Sequence, residues 1–285
     1  FEGDSTKSIL RQLPNLSFEQ LVACVALSKP GPAHSGSTTK YIARARGDNR
    51  IQTLNWHPIL DNVTHATNGQ IIYQEQVLRI VKEIGNLSWT DTNKIRIAMS
   101  KSQGESIVEA YWPFFLKGAL DNGIIQKNAV VIWDNIKTMG RWGFNKSHAV
   151  SYALLAWYSM YMKRHYQLEF YLARLLKESD ELKKKRLLME INSRGIKILP
   201  PVLGKSKENW HIEDGKLRTG LLEIKGIGEK IAKGLIDFHY RTREDFADPN
   251  KKCRGITKRI FSVLENTNAF ENGMEDFFNL REYEI

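Results

Sequence analysis

Cysteine is nearly absent from this sequence. Its 285 residues hold two, Cys24 and Cys253, which form no Cys-x-x-Cys pair and no Cys/His cluster. That argues against a disulfide scaffold and a structural zinc site, and it fits a reducing, intracellular setting. Long apolar runs are missing as well. No uncharged apolar stretch reaches the roughly 18 residues of a membrane span, so neither a transmembrane helix nor a secretory leader is expected. The common catalytic signatures are absent: no Walker loop, no Gly-x-Ser-x-Gly, no His-Glu-x-x-His and no Asp-x-Asp. Nothing supplies the clustered carboxylates that two-metal phosphoryl transfer requires. The first residue is Phe1 rather than Met, so a fragment, a processed product or an incomplete chain is expected.

What is present is a core and a charge. The hydrophobic fraction is 42%, and the length allows one large domain or two smaller ones. Lys and Arg number 42 against 32 Asp and Glu, a net charge of +10. A basic surplus of that size favours a polyanionic partner, nucleic acid first, although a basic but ordinary enzyme carries the same charge.

Most of the chain has helical spacing. Phe18, Leu21, Val22, Val25 and Ala26 form one apolar stripe behind a cap at Ser17, and Pro30-Gly31-Pro32 is expected to stop any helix. After a turn at Asn68-Gly69, the spacing of Ile72, Val77, Ile80, Val81 and Ile84 predicts a helix closed by Gly85. Further helices are expected over Asp91–Lys101, Glu105–Asn122 and Lys127–Met139, then one long helix from Ser147 to before Leu176. In that long helix Val150, Ala153, Leu154, Trp157 and Tyr161 share a stripe expected to be core. A charged helix ends at Gly195, a short apolar strand follows, and Asp214-Gly215 marks a two-residue β-hairpin.

Two motifs suggest phosphate. "GRWGFNKSHAV" sets Asn145, Lys146, Ser147 and His148 at the start of the long helix. Neutral donors, an ammonium and an imidazole at a helix N-terminus suit a polyphosphate; ordinary capping explains the same residues about as well. "LLEIKGIGEKIAKGLI" has the helix-hairpin-helix pattern. Gly226-Ile227-Gly228 allows a tight turn whose amides face outward beside a helix start, and Lys225 and Lys230 flank it. A plain helical turn is the alternative. "CRGITKRIFSVLENTNAF" is a degenerate second copy without the second glycine, so a structural role is expected there. Arg96 and Lys101 lie on or beyond a helix and alone read as a solvated face. Gln74, Glu75 and Gln76 read as a hydrogen-bond network rather than an acid/base pair.

"ALSKPGP", "NGQIIYQEQVLRIV", "KIRIAMSK", "WGFNKSHAVSYALLAWY", "MKRHYQLEF" and "GIKILPPVL" follow one another in an order that resembles the bacterial replicative DNA polymerase III alpha subunit, the C-family polymerases. The resemblance covers nearly the whole chain. It implies a mainly α fold: a C-family fingers domain, a short β-hairpin and a tandem helix-hairpin-helix module. By that likeness residues 1–60 join palm to fingers, 61–176 are fingers, 177–207 are a charged helix and linker, and 208–285 carry the hairpin and DNA-binding module. Arg96, Lys101, Asn145, Lys146, Ser147 and His148 would bind the incoming dNTP. Lys225, Gly226, Ile227, Gly228 and Lys230 would bind DNA.

The resemblance also implies template-primer DNA, a palm-bearing chain or segment and a sliding clamp as partners, no membrane, and a bacterial or infected-cell cytoplasm. Its chemistry uses two Mg²⁺ ions held by aspartates upstream of the matched segment, so this chain alone is expected to be inactive. There are departures from the family pattern. Ile97 stands where a second arginine is usual, Lys29 replaces the arginine of Arg-Pro-Gly-Pro, "RARG" (Arg44 to Gly47) replaces "RKHG", and Asn268 replaces a glycine. They suggest a divergent member, of a kind a phage could encode. The rival readings are a DNA-binding remnant without catalysis and a nuclease or repair factor that borrowed the hairpin module.

Overall fold

The computed structural model describes residues 3–54, 56–100, 104–140, 143–251 and 255–271. The chain forms two compact units, Phe1–Tyr158 and Ser159–Ile285. The fold is mainly helical, with one small sheet between helical regions.

The first unit begins with α1 (Asp4–Gln12), α2 (Phe18–Leu27), α3 (Pro30–His34) and α4 (Ser37–Ala45), then α5 (Pro58–Thr64). Ser17 caps α2 in a reciprocal box: Gln20 N donates to its Oγ at 3.2 Å, and Ser17 N donates to Gln20 Oε1 at 3.1 Å. Pro30 does not merely stop α2. It opens α3, because a proline in the first turn loses no helical hydrogen bond. Next come α6 (Gln74–Glu83), α7 (Trp89–Ser100), α8 (Gly104–Glu109), α9 (Trp112–Asp121) and α10 (Gln126–Gly140). The single helix expected over Glu105–Asn122 is two, since Pro113 cannot continue α8 and sits instead in the first turn of α9.

Two cores fill this unit. Leu60, Val77, Ile80, Phe115, Ile132 and Trp133 anchor one, and the buried face of α2 with Tyr41, Ile72 and Tyr73 forms the other. Cys24 lies in the second, where burial pushes its thiol up to about 12; it is a small hydrophobe rather than a reactive group. Cys253 lies outside the described residues. α9 approaches the end of α6 at two glycines: a Cβ on Gly118 would stand 2.0 Å from Gly85 O. Asn122 closes the contact by donating to Ile84 O at 2.8 Å.

α11 (Lys146–His165) differs from its expected form in two ways. It ends at Tyr166, whose φ of −133° and ψ of 60° break the helix without proline or glycine, and α12 (Gln167–Lys177) follows. The turn lets Tyr171 and Leu175 enter the core formed with Leu187, Ile191, Trp210 and Leu217. Local propensity gives way to that burial. The stripe expected to be core is also largely exposed. Ala153 is buried, but Leu154, Trp157 and Tyr161 are 37%, 54% and 50% exposed. The helix offers too many large apolar side chains for one side of it to bury.

In the second unit α13 (Glu181–Ser193) precedes β1 (Ile198–Leu199), β2 (His211–Glu213) and β3 (Lys216–Arg218). The sheet order is β1-β3-β2, parallel between β1 and β3 and antiparallel between β2 and β3. Asp214 and Gly215 take φ of 48° and 74°, the left-handed pair that a two-residue turn demands. Arg218 is 1% exposed, and its guanidinium donates to both Glu213 carboxylate oxygens, at 2.8 and 2.6 Å, and to Pro200 O at 2.8 Å. The last helices among the described residues are α14 (Glu229–Asp237) and α15 (Lys258–Asn266).

Candidate phosphate-binding sites

The loop before α11 is held by a segment some seventy residues away. Tyr73 and Phe144 form an isolated parallel bridge, and Gln74 N donates to Phe144 O at 2.9 Å. Gln74 Nε2 donates to Gly143 O at 3.0 Å, and Lys146 N donates to both Glu75 carboxylate oxygens at 3.0 and 2.9 Å. Glu75 is thus an anion at the N-terminus of α11, where the helix field favours it. Gln76 turns the other way. Its buried amide accepts from Ile72 N and Tyr73 N and donates to Val63 O and Thr67 Oγ1, which fixes the start of α6. Gly143 is required for the close fit: a Cβ there would meet Gln74 Cγ at 2.9 Å and Met99 Cε at 3.2 Å.

The four polar side chains of the loop divide into two pairs. Asn145 and Ser147 are used in capping, for Asn145 Oδ1 accepts from His148 N at 2.9 Å and from Ser147 Oγ at 2.6 Å. Lys146 and His148 remain open. Lys146 Nζ rests 5.8 Å above the Tyr73 ring and has no carboxylate partner among the described residues. The His148 ring stands exposed between Phe144 and Tyr152, 5.5 and 4.6 Å away. The arrangement presents one ammonium and one imidazole to solvent on a rigid mount, which suits an anionic ligand. Arg96, half-buried on α7, donates to Asn93 Oδ1 at 3.1 Å, and α7 reaches the loop at Met99, whose Cε would stand 3.2 Å from a Cβ on Gly143. Lys101 lies outside the described residues.

The glycine hairpin has open amides. Gly226 takes φ of 98° and Gly228 is the extended N-cap of α14, at φ −93° and ψ 171°. Ile227 is buried and pins the turn, while Lys225, Gly226, Gly228 and Lys230 are exposed. Among the described residues no acceptor meets the amides of Gly226, Gly228 and Glu229.

The degenerate copy repeats this backbone at an offset of 29 residues. Gly255 takes φ of 100°, Thr257 is an extended N-cap at φ −113° and ψ 170°, and His239 and Asn268 close their helices at φ 53° and 48°. A second glycine is unnecessary there. The position that needs positive φ is Gly255, and the capping position is extended backbone open to any residue.

Among the described residues no group of three or more His, Cys, Asp and Glu could hold a metal ion, and no helix is long and apolar enough to cross a membrane. Comparison with known proteins shows what the chain resembles. Residues 1–123 match the bacterial DNA polymerase III alpha subunit finger domain, and residues 195–279 match a helix-hairpin-helix motif. The chain is 30% identical to the DNA polymerase III subunit alpha of Aquifex aeolicus over 276 residues, 95% of this chain and 23% of that protein. It is 33% identical to that of Escherichia coli K12 over 280 residues, 95% of this chain and 24% of the relative. With the DNA polymerase III subunit alpha of Buchnera aphidicola subsp. Acyrthosiphon pisum the identity is 35% over 276 residues, 92% of this chain and 23% of the relative. The chain therefore spans about a quarter of the length of the curated relatives it matches.

Proposed function

Since this chain is homologous over 95% of its length to DNA polymerase III alpha subunits, as their finger and helix-hairpin-helix region, we propose that it binds an incoming dNTP and the template-primer duplex during DNA synthesis. Lys146 and His148 meet the triphosphate. Asn145 and Ser147 shape the helix start beneath it, and Arg96 adds charge from α7. Gln74, Glu75 and Gln76 serve as the mount. The observation that carries this reading is the pairing of a rigid loop with a cation left unpartnered. An ammonium held on an aromatic ring beside a tied-down helix start needs no reorganisation to meet phosphate oxygens.

The fingers would extend over 61–176, with 1–60 leading to the palm and 208–285 gripping duplex behind the active site. The two Mg²⁺ ions of such chemistry do not fit the residues described here, which lack a carboxylate cluster. Their ligands belong on a palm outside this chain, and the chain alone should not extend a primer. A sliding clamp is a further candidate partner of the assembled polymerase.

Lys146→Ala in the polymerase that carries this chain should raise the KM for dNTP or lower kcat/KM on the order of ten- to a hundredfold, the value of a charge-assisted phosphate contact. His148→Ala should act in the same direction. Affinity for primer-template should hardly change. Steady-state dNTP titrations and melting curves on the same variants decide the matter: normal nucleotide kinetics in both, with lowered melting temperatures, would reduce the loop to a helix cap.

The hairpins read phosphate, so duplex binding should be blind to sequence and steeply salt-dependent. Lys225→Ala with Lys230→Ala should weaken binding equally on unrelated sequences and flatten the slope of log K against log salt by about 2, one unit per lost contact. An unchanged slope would mean that these lysines are solvated and meet no backbone.

A further inference from the structure

We propose that Lys29 is a second phosphate-contacting residue of the loop site, paired with Lys146 across the Tyr73–Phe144 bridge; this rests on the nucleotide-binding reading of the loop. Lys29 is exposed at the N-cap of α3, far from Lys146 in sequence. Its Nζ lies 5.9 Å from the centroid of the Phe144 ring, as Lys146 Nζ lies 5.8 Å from that of Tyr73. Tyr73 and Phe144 are partners in one backbone bridge, so each of the two lysines rests on the ring of a residue of that bridge.

Neither lysine has a carboxylate partner among the described residues, whereas Lys94, Lys117, Lys137 and Lys184 each have one. The nearest acid of the mount, Glu75, already accepts the Lys146 amide with both oxygens. A polyanion that met both ammonium groups would supply the counterion that neither has among the described residues. The ligand chemistry is therefore a phosphate chain wide enough to reach both ammonium groups. The triphosphate of a nucleotide supplies it, and so does a backbone phosphate of the primer-template.

Lys29→Met keeps the aliphatic stem and removes the charge, and Lys29→Arg restores the charge. In the polymerase carrying this chain, Lys29→Met should raise the KM for dNTP on the order of tenfold, with kcat nearly unchanged and Lys29→Arg close to the parent. A rise in KM for both Lys29→Met and Lys146→Ala, relieved by arginine at 29, supports the pair. If Lys29→Met instead weakens primer-template binding and flattens its salt slope at normal dNTP KM, the phosphate is the DNA's, and the pairing on a triphosphate is overturned. A lowered melting temperature with normal kinetics makes Lys29 structural. An effect at Lys146 alone rejects Lys29 and leaves the loop reading standing. No effect at either residue rejects the loop reading itself, and this proposal with it.

Discussion

Glu213→Ala should destabilise the second unit by about 3–5 kcal/mol, among the largest losses available to a single substitution in this chain. The Arg218 guanidinium is 1% exposed and donates twice to Glu213. Truncating the acid leaves a buried cation with, among the described residues, only Pro200 O to meet it. The asymmetry of buried pairs gives the control. Glu213→Leu combined with Arg218→Met removes both charges and should cost far less than the single change. Urea unfolding of the three proteins measures this, and a single variant no worse than the double would show that water reaches Arg218.

The same pair sets a pH dependence. The hydrogen bonds from Arg218 hold the Glu213 carboxyl below its ordinary value, against the opposing effect of burial. A carboxylate depressed in the folded state stabilises fully above its unfolded pKa, about 4.3, and that contribution is lost as pH falls through the folded value. The parent should therefore lose stability below about pH 4, and the double variant should lose less.

The second large effect lies in the first unit. In an exposed helix Gly→Ala gains about 1 kcal/mol in propensity. At Gly118 the sign reverses, because the added carbon would stand 2.0 Å from Gly85 O and 2.2 Å from Gly85 C, backbone atoms that cannot swing aside. Separating α9 from the end of α6 also opens the contacts of Phe115 and the Asn122 bonds to Glu83 O and Ile84 O. Gly118→Ala should lose about 2 kcal/mol net, and Gly118→Val about 4 kcal/mol or more, enough to unfold the unit at moderate temperature. Circular dichroism melts test both. Wild-type stability in the valine variant would mean that the two helices can part freely.

Much of this architecture is legible in the residues, and the illegible parts share a cause. Ser17 with Gln20, Asp214-Gly215 and the apolar spacing of α6 are local signals, and each element forms where its residues predict it. The break at Tyr166 and the Gly85–Gly118 contact are set by what lies across the fold, and nothing in the neighbouring residues announces them. The exposed side of α11 is illegible in the sequence for a related reason: periodicity reports which residues share a face, not whether anything covers it. At the loop, residue types pointed to phosphate, but only the structure separates Lys146 and His148 from the two side chains spent on capping. In the sequence Lys29 is no more than a departure from a motif, and its place beside Phe144 is a matter of tertiary structure.

The mount of the loop also has a kinetic meaning. Glu75 and the Lys146 amide are separated by 71 residues, and closing a segment of that length costs roughly 4 kcal/mol of chain entropy. Such pairings come late, after local helices have formed, because the entropy must be met before the contact rewards it. A chain emerging from the ribosome through α10 already has Gln74 and Glu75 waiting but no loop to hold. The cation site then comes into being only when the helices between have found their places. A misfolded first unit would not carry a weakened cation site; it would lack the site altogether.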